Sequence, residues 1–443
     1  MTIRERPKIR VVYNVQKEIN PHFRPVWTSD YPNNVLKGGR NSFKSSVISM
    51  KLVRDMLMMV NDGHKANVVV LRKVGSTLRD TVFQQIQWAI RKYGVEHLFR
   101  VRVTPFSITH RASGSTFYFY GQDDVEKIKG NAINDIMAVW YEEATEFGGP
   151  EDFDQNFATF ARQKSPYKDY VQFFWSYNPP RNPFSWINEW SESLKESPDY
   201  LVHESTYLDD KLGFVTEQML NEINRIKAND YDYYRYLYLG EAVGLGMNVY
   251  NFELFNKLDK LPEGEYIKTL NYGLDTGHQQ SATACLCVGI TNKNNVILLD
   301  TYYYSPEGKA RKLAPDELSA NIYAFERETQ ERYNRPVGKR TIDSAEGAIR
   351  NQYYKDFGIR WNPVNKTRKV TMIDNVVTLL AQGRVFYLDT ARNEVFIEQH
   401  KDYRWEEKTV ETDNPTVVKD DDHTPDAWQY FVNDNLRELD LVW

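Results

Sequence analysis

The stretch Asn34-Val-Leu-Lys-Gly38-Gly39-Arg40-Asn41-Ser42-Phe43-Lys44-Ser45 decides how the first half of this chain is read. A short apolar run enters two glycines, and a Lys-Ser pair then opens a segment of helical composition. The pattern fits G-x-x-x-x-G-K-[ST] except that Phe43 stands where the second glycine belongs. Binding a polyphosphate at such a turn needs backbone N–H groups curled round the anion, a lysine cation and a hydroxyl for Mg²⁺. Gly38, Gly39, Arg40, Asn41, Ser42, Phe43, Lys44 and Ser45 are therefore the candidate nucleotide-binding residues. The plainer alternative is an ordinary basic helix N-terminus.

Working outward, short apolar runs at 34–37, 67–72, 116–120, 136–141 and 171–177 alternate with helical stretches at 45–60 and 78–93. That alternation predicts a parallel sheet covered by helices. The run Ile136-Met-Ala-Val-Trp-Tyr141 ends in Glu142-Glu143, as a Walker B strand does, so that Glu142 would support Mg²⁺ and Glu143 would polarise the attacking water. A strand meeting a solvated acidic helix start is the bland alternative. Ser176 and Asn178 follow the 171–177 run, at the strand end where open α/β sheets place their ligands. An arginine is expected at the transferring phosphoryl group, and Arg40 and Arg72 are preferred over Arg79 and Arg162.

Composition narrows the classes. The 443 residues are 41% hydrophobic, enough for two or three domains with real cores. A net charge of −5 excludes a uniformly basic DNA coat, so any contact with an acidic polymer is local. Residues 1–55 hold 11 Lys and Arg against 4 Asp and Glu, and Lys366, Arg368 and Lys369 form a second basic cluster. Cys285 and Cys287, expected on opposite faces of a strand, read as reduced core thiols. No apolar run reaches the ~20 residues of a membrane span and no signal peptide is evident, which predicts a cytoplasmic address without membrane contact. The aromatic content of 14% goes mainly to cores: Trp140 and Trp175 lie in predicted core strands, and the Tyr231–Tyr238 cluster is expected to pack between domains.

Glycines 240, 244 and 246 and the stretch Asp259-Lys-Leu-Pro-Glu-Gly-Glu265 break the pattern, so a linker is expected at 242–265 between domains 1–241 and 266–443. Beyond it three strands come in succession (268–275, 282–290, 296–303). Helices (315–333, 346–357, 370–381) then alternate with strands (339–343, 359–363, 384–388), which is the element order of a ribonuclease-H-like fold. Asp275 and Asp343 fall at strand ends, and His423 and Asp426 lie three apart round Pro425 at an expected helix start. Carboxylates converging from different strands suit two-metal phosphodiester hydrolysis, with Mg²⁺ or Mn²⁺ as the hard-oxygen metal. Singly, the same residues read as turn or cap residues. Asp300, Asp421, Asp422 and His278 are expected further out. The segment 408–419 reads as two short strands around Asp413-Asn-Pro415, a hairpin placed to cover the cleft and restrain cutting.

Gly38-Gly-Arg-x-Ser-x-Lys-Ser45, Val139-Trp-x-Glu-Glu-Ala-Thr-Glu146 and Ser176-x-Asn-Pro179 together resemble the ATPase motifs of tailed-bacteriophage terminase large subunits, most closely the PBSX-like branch. Leu71-Arg-Lys73, Thr77-Leu-Arg-Asp80, Phe119–Asp124, Lys127–Gly130 and Tyr238-Leu-Gly240 echo the same family. The resemblance covers nearly the whole chain. It implies an α/β chain with an N-terminal P-loop (ASCE-type) ATPase domain and a C-terminal RNase H-like nuclease domain. The implied activity is ATP-driven, Mg²⁺-dependent translocation of viral DNA into a procapsid, with endonucleolytic cutting of concatemers. Glu143, Asp275, Asp343 and Asp426 would be catalytic, Asp275, Asp343, His423 and Asp426 would bind metal, and Asn178 would couple hydrolysis to movement. The implied partners are double-stranded viral DNA, a small terminase subunit and a portal on which copies assemble as a ring, from a monomer in free solution, in the host cytoplasm. Phe43 and Asn41 depart from the family's usual glycines. Two other classes compete: an RNase H-like recombinase or resolvase, and a non-enzymatic capsid-assembly component.

Overall fold

The computed structural model describes residues 14–122, 133–277, 281–307 and 311–441. Part of the basic N-terminal stretch, Lys127–Gly130 and His278 lie outside the described residues. The chain folds as two compact units, Met1–Asn224 with Asp232–Gly244, and Arg225–Tyr231 with Leu245–Trp443.

The first unit is built on eight strands: β1 Asn33–Gly38, β2 Asn67–Arg72, β3 Phe99–Val103, β4 Phe106–His110, β5 Thr116–Gly121, β6 Ile136–Glu142, β7 Gln172–Tyr177 and β8 Tyr200–Ser205. They lie in the order β3-β4-β5-β2-β6-β7-β1-β8. From β5 to β8 every pairing is parallel, while β3 and β4 form an antiparallel margin. Val68 and Val70 face the helices Lys44–Asn61 and Val82–Lys92, whereas Val69 and Leu71 face the helices Pro150–Arg162 and Trp186–Ser193. Burial on both faces explains why these strands read as unbroken apolar runs. Trp140 and Trp175 are core residues on opposite faces. All five expected strands form; β8 and the β3–β4 hairpin were not anticipated, being short and mixed in polarity.

At the end of this unit Tyr234 and Tyr238 pack on Tyr207, and Tyr231 is exposed. The expected linker 242–265 is too long. Gly240, Gly244 and Gly246 do turn the chain with positive φ, but Tyr250 and Phe255 are already buried. Residues Asn256–Lys257 then form strand β9, paired with β15 in the second sheet.

The second sheet adds β10 Ile267–Thr276, β11 Thr283–Thr291, β12 Val296–Tyr304, β13 Val337–Ile342, β14 Asn362–Pro363 and β15 Val385–Tyr387, ordered β14-β13-β10-β11-β12-β15-β9. β10, β11 and β12 are antiparallel neighbours; β13 and β14 extend the sheet in parallel on one side, β15 and β9 on the other. The helices Pro315–Tyr333 and Gly347–Phe357 cover a core containing Leu270, Tyr272 and Leu274. Cys285 and Cys287 both join that core and are unpaired. Residues two apart on a strand share a face, so the expectation of opposite faces was wrong. The C-terminal helix His423–Asp434 packs on β10 so closely that a Cβ on Gly273 would stand 2.3 Å from the Ala427 carbonyl oxygen. Among the described residues no helix is long and apolar enough to cross a membrane.

Candidate active sites

Parallel pairing brings Gly38, Arg72, Glu142 and Tyr177 to one edge of the first sheet, the edge at which open α/β sheets bind ligands. The turn from β1 into the helix at Lys44 is packed tightly enough to require both glycines. A Cβ on Gly38 would stand 1.9 Å from the Ser205 carbonyl oxygen, and one on Gly39 2.1 Å from that of Tyr238. The Arg40 amide is already committed, donating to Leu237 O at 2.7 Å. Phe43, in the place of the motif's second glycine, adopts φ 65° and ψ 4°. The turn thus keeps its left-handed conformation although a side chain is present; the ring packs against the core and edge-on to Phe214, which offsets the strain. Asn41 is also left-handed, and its amide contacts Met219 Sδ.

Lys44 Nζ donates to Gly38 O, Gly39 O, Ser42 Oγ and Asn178 Oδ1 at 2.7–3.1 Å. Burial lowers its pKa to about 8 despite the attraction of Glu143 and Glu142. Ser45 follows it in the first helical turn. Ser176 is turned inward, accepting from Trp140 Nε1 at 2.8 Å, so Asn178 rather than Ser176 faces the lysine.

At the end of β6 the chain turns through Glu143, which is left-handed with φ 51°. Burial raises the pKa of Glu142, and neighbouring Glu143 adds to the rise against the opposing charge of Arg72. Arg72 Nε lies 3.1 Å from Glu142 Oε2 and its Nη2 2.9 Å from Glu146 Oε1. The first of these contacts is an ion pair without hydrogen-bond alignment, which leaves two buried polar atoms of opposite charge facing each other. That donor set suits a magnesium-bound polyphosphate. Of the four arginines, Arg162 is at the wrong edge, because its neighbour Gln163 binds the first residue of β6. Arg72 is next to Glu142, Arg40 is in the loop, and Arg79 is exposed beyond β2.

In the second unit an open cleft of about 960 Å³ is lined by Asp275, Asp343, His423 and Asp426, along with Asp420–Asp422 and Tyr430. Asp275 is the penultimate residue of β10 and its Oδ2 lies 2.8 Å from His423 Nδ1. Burial raises the Asp275 pKa more than the His423 contact lowers it; the same pairing outweighs burial at His423 and raises the imidazole pKa. Asp343 follows β13 and accepts from Lys366 Nζ at 2.5 Å, Tyr430 OH at 3.1 Å and the Ala345 amide at 2.9 Å. Although burial acts the other way, these donors hold its pKa below the ordinary value. Asp426 is paired through Oδ1 with Lys369 and through Oδ2 with Lys419 at 3.4 Å.

The cleft thus assembles all four expected nuclease residues. Among the described residues no three such side chains already close on a common metal position. The donor set nevertheless fits a divalent cation, since hard carboxylates from separate elements face one space and ammonium groups act as their counter-cations. Asp421 and Asp422 line the cleft, whereas Asp300 is buried at an ion pair with Arg332 and Arg392. The expected 408–419 hairpin is a turn-rich loop: antiparallel pairing occurs only at its base, between 404–406 and 416–418. Tyr430, Tyr403 and Lys419 were not anticipated. Tyr430 lies seven residues after His423, on the same helix face, and that spacing was the available signal.

A P-loop sheet followed by an RNase H-like sheet with convergent aspartates defines a nucleotide-binding unit joined to a nuclease-type unit. Two family models match in tandem, phage terminase large subunit over residues 32–241 and terminase RNAseH like domain over residues 275–434. The chain belongs to the phage terminase large-subunit family. It is 31% identical over 271 residues to the terminase large subunit of Bacillus phage SPP1, covering 60% of this chain and 63% of that protein, less than two thirds of its length. The large terminase of a thermophilic bacteriophage superposes with a TM-score of 0.75 at 18% identity, over 94% of this chain and 99% of that one. A second structure of that large terminase, in complex with ATP-gamma-S, gives 0.73 over 94% and 98% at the same identity. At that identity the likeness establishes the fold.

Proposed function

We propose that this chain uses ATP to drive double-stranded viral DNA into a procapsid and cuts concatemeric DNA with its second unit. The observation that carries the reading is the pairing of two complete constellations in one chain: Lys44, Asn178, Glu142 and Glu143 at one sheet edge, and Asp275, Asp343, His423 and Asp426 in one cleft. The thermophilic phage relative's complex with ATP-gamma-S supports ATP as the nucleotide. The unit Met1–Asn224 with Asp232–Gly244 is the motor, and the unit Arg225–Tyr231 with Leu245–Trp443 is the nuclease.

In the motor, the P-loop glycines let backbone approach the phosphates, Lys44 neutralises them and Ser45 with Glu142 holds Mg²⁺. Glu143 accepts the proton of the water that attacks the γ-phosphorus. Asn178 contacts the lysine directly, so a change in what Lys44 holds is felt at the end of β7. In the nuclease, Asp275, Asp343 and Asp426 hold Mg²⁺ or Mn²⁺, and His423 either ligates an ion or fixes Asp275. When bound, such ions supply Lewis-acid stabilisation and an activated water. The remaining assignments are a small terminase subunit for site recognition, a portal as the seat of a ring of copies, and the host cytoplasm as the place of work. The segment 408–419, whose last residue Lys419 lines the cleft, restrains cutting, and deletion of Glu411 to Pro415 is expected to raise free nuclease activity.

The test is plasmid cleavage in Mn²⁺ or Mg²⁺ together with ATP turnover. Wild type is expected to cut and Asp343→Ala to leave plasmid intact. Intact plasmid with both proteins folded removes the nuclease half, and turnover unaffected by Lys44→Ala removes the motor half.

A further inference from the structure

The metal-binding carboxylates in the nuclease cleft already carry cations belonging to the chain. Lys366 comes from the segment after β14, Lys369 opens the helix Lys369–Ala381, and Lys419 precedes the C-terminal helix. Lys366 takes Asp343 Oδ2; Lys369 takes Asp426 Oδ1; Lys419 takes Asp426 Oδ2 and, at 2.8 Å, Asp422. Both oxygens of Asp426 are therefore engaged. A divalent ion ligated by that carboxylate must displace at least one ammonium, because two cations do not share one oxygen at contact distance without strong repulsion. Asp275 differs, its partner being an imidazole instead of a lysine.

The lysines differ in their freedom to leave. The side chains of Lys366 and Lys419 are 42% and 66% exposed, so they can swing toward solvent, while Lys369 is 27% exposed and lies near the Tyr403 ring. An ammonium released here remains at the mouth of the cleft, where a DNA substrate brings phosphates.

We propose that Lys366 and Lys419 are exchangeable counter-cations that, beside the more enclosed Lys369, hold the nuclease carboxylates before metal arrives and pass to DNA phosphates when metal takes their place. The proposal rests on the nuclease reading above. Its consequence is that metal and DNA bind cooperatively, each removing an obstacle to the other, and such coupling is reciprocal. Free protein then holds metal weakly and is a poor nuclease until DNA enters the cleft. The lysines act as positioning residues with a dual load, screening the aspartates in one state and the substrate in the other.

The test is Mn²⁺ binding to the full chain by calorimetry, with and without a short phosphorothioate duplex that resists cleavage. Wild type is expected to bind Mn²⁺ more tightly when the duplex is present. Lys366→Met and Lys419→Met should each bind Mn²⁺ about tenfold more tightly than wild type without DNA, and should gain less from adding it. Lys366→Arg, which keeps the charge, should retain the wild-type pattern, and circular dichroism checks that every variant is folded. Folded Lys→Met variants that bind Mn²⁺ no better than wild type overturn the exchange. If Asp343→Asn abolishes the wild-type binding in that same experiment, the nuclease reading stands without it. Wild-type Mn²⁺ binding that is absent with duplex, or unaltered by Asp343→Asn, overturns both.

Discussion

The two sites solve opposite electrostatic problems with the same residue types. At the first sheet edge the proposed phosphate-binding group is a cation, Lys44, wrapped by two loop carbonyls, a hydroxyl and an amide oxygen, with the acidic pair Glu142 and Glu143 as a more distant attraction. In the second cleft the proposed metal-binding groups are anions, and lysines sit directly upon them. The first site awaits an anionic ligand and has its own anions drawn aside, Glu142 being held by Arg72. The second awaits cations and has its own cations in place. In each site the groups that await a ligand are thus screened in the free protein by partners of the same sign as that ligand, oxygens around Lys44 and ammonium groups on the aspartates, which lowers the cost of burying ionised groups.

If the sites are chemically separate, their lesions should not cross. Lys44→Ala is expected to lower ATP turnover about a thousandfold while plasmid cleavage in Mn²⁺ is retained, and Asp343→Ala should do the reverse. Loss of both activities in either folded variant would break the comparison. Within the first site, Glu143→Gln should lower turnover about a hundredfold and leave nucleotide affinity nearly unchanged, since a proton acceptor is lost without loss of a phosphate contact. Equal losses in affinity and turnover would move Glu143 from the water to the nucleotide.

The same contrast explains what could be read before any coordinates. The first site is mostly contiguous: eight residues from Gly38 to Ser45 form the proposed phosphate-binding loop, and the end of a single strand delivers Glu142 and Glu143. The nuclease aspartates are spread from 275 to 426 and needed the order of strands to be joined, but strand ends and helix starts still marked them. What escaped was set by tertiary reach. Ser176 is still within β7 and bonds Trp140, whereas Asn178, two residues on, lies past the strand end at Tyr177 and no longer follows its alternation. Lys419 came from a stretch read as a strand, and Tyr430 from a helix whose length was not foreseen. Arg162 was a candidate on residue type alone, and the direction of the helix before β7 removes it.

A smaller effect should separate the sites by pH. Free Lys44, lowered to about 8 by burial, is charged at neutral pH and largely neutral at pH 9. Bound phosphates stabilise the ammonium and raise its pKa, so binding above pH 8 requires uptake of a proton. Affinity for a non-hydrolysable ATP analogue should therefore hold steady up to about pH 8 and weaken about tenfold between pH 7 and 9. The decline should disappear in Lys44→Met. An undiminished affinity at pH 9 in the wild type would mean that the lysine is more solvated than its four contacts imply. At Asp343 the donors favour the charged form, so no corresponding weakening of metal binding is expected over this range.

The smallest expected effect concerns the residue that departs from the phosphate-loop pattern. Phe43 holds a left-handed turn that would suit glycine and packs its ring against the core and Phe214. Phe43→Ala removes the packing and keeps a Cβ in the left-handed conformation, whereas Phe43→Gly removes both packing and strain. Relief of ~1–2 kcal/mol of left-handed strain, less the ~0.4–1 kcal/mol by which glycine stabilises the unfolded chain, leaves about 1 kcal/mol in favour of Gly. Denaturant unfolding should then rank Phe43→Gly above Phe43→Ala, although burial alone would rank the larger side chain first. The reverse order would mean that the loop relaxes when the ring is removed, so that the aromatic packing, and not the backbone turn shared with glycine-containing loops, fixes its shape.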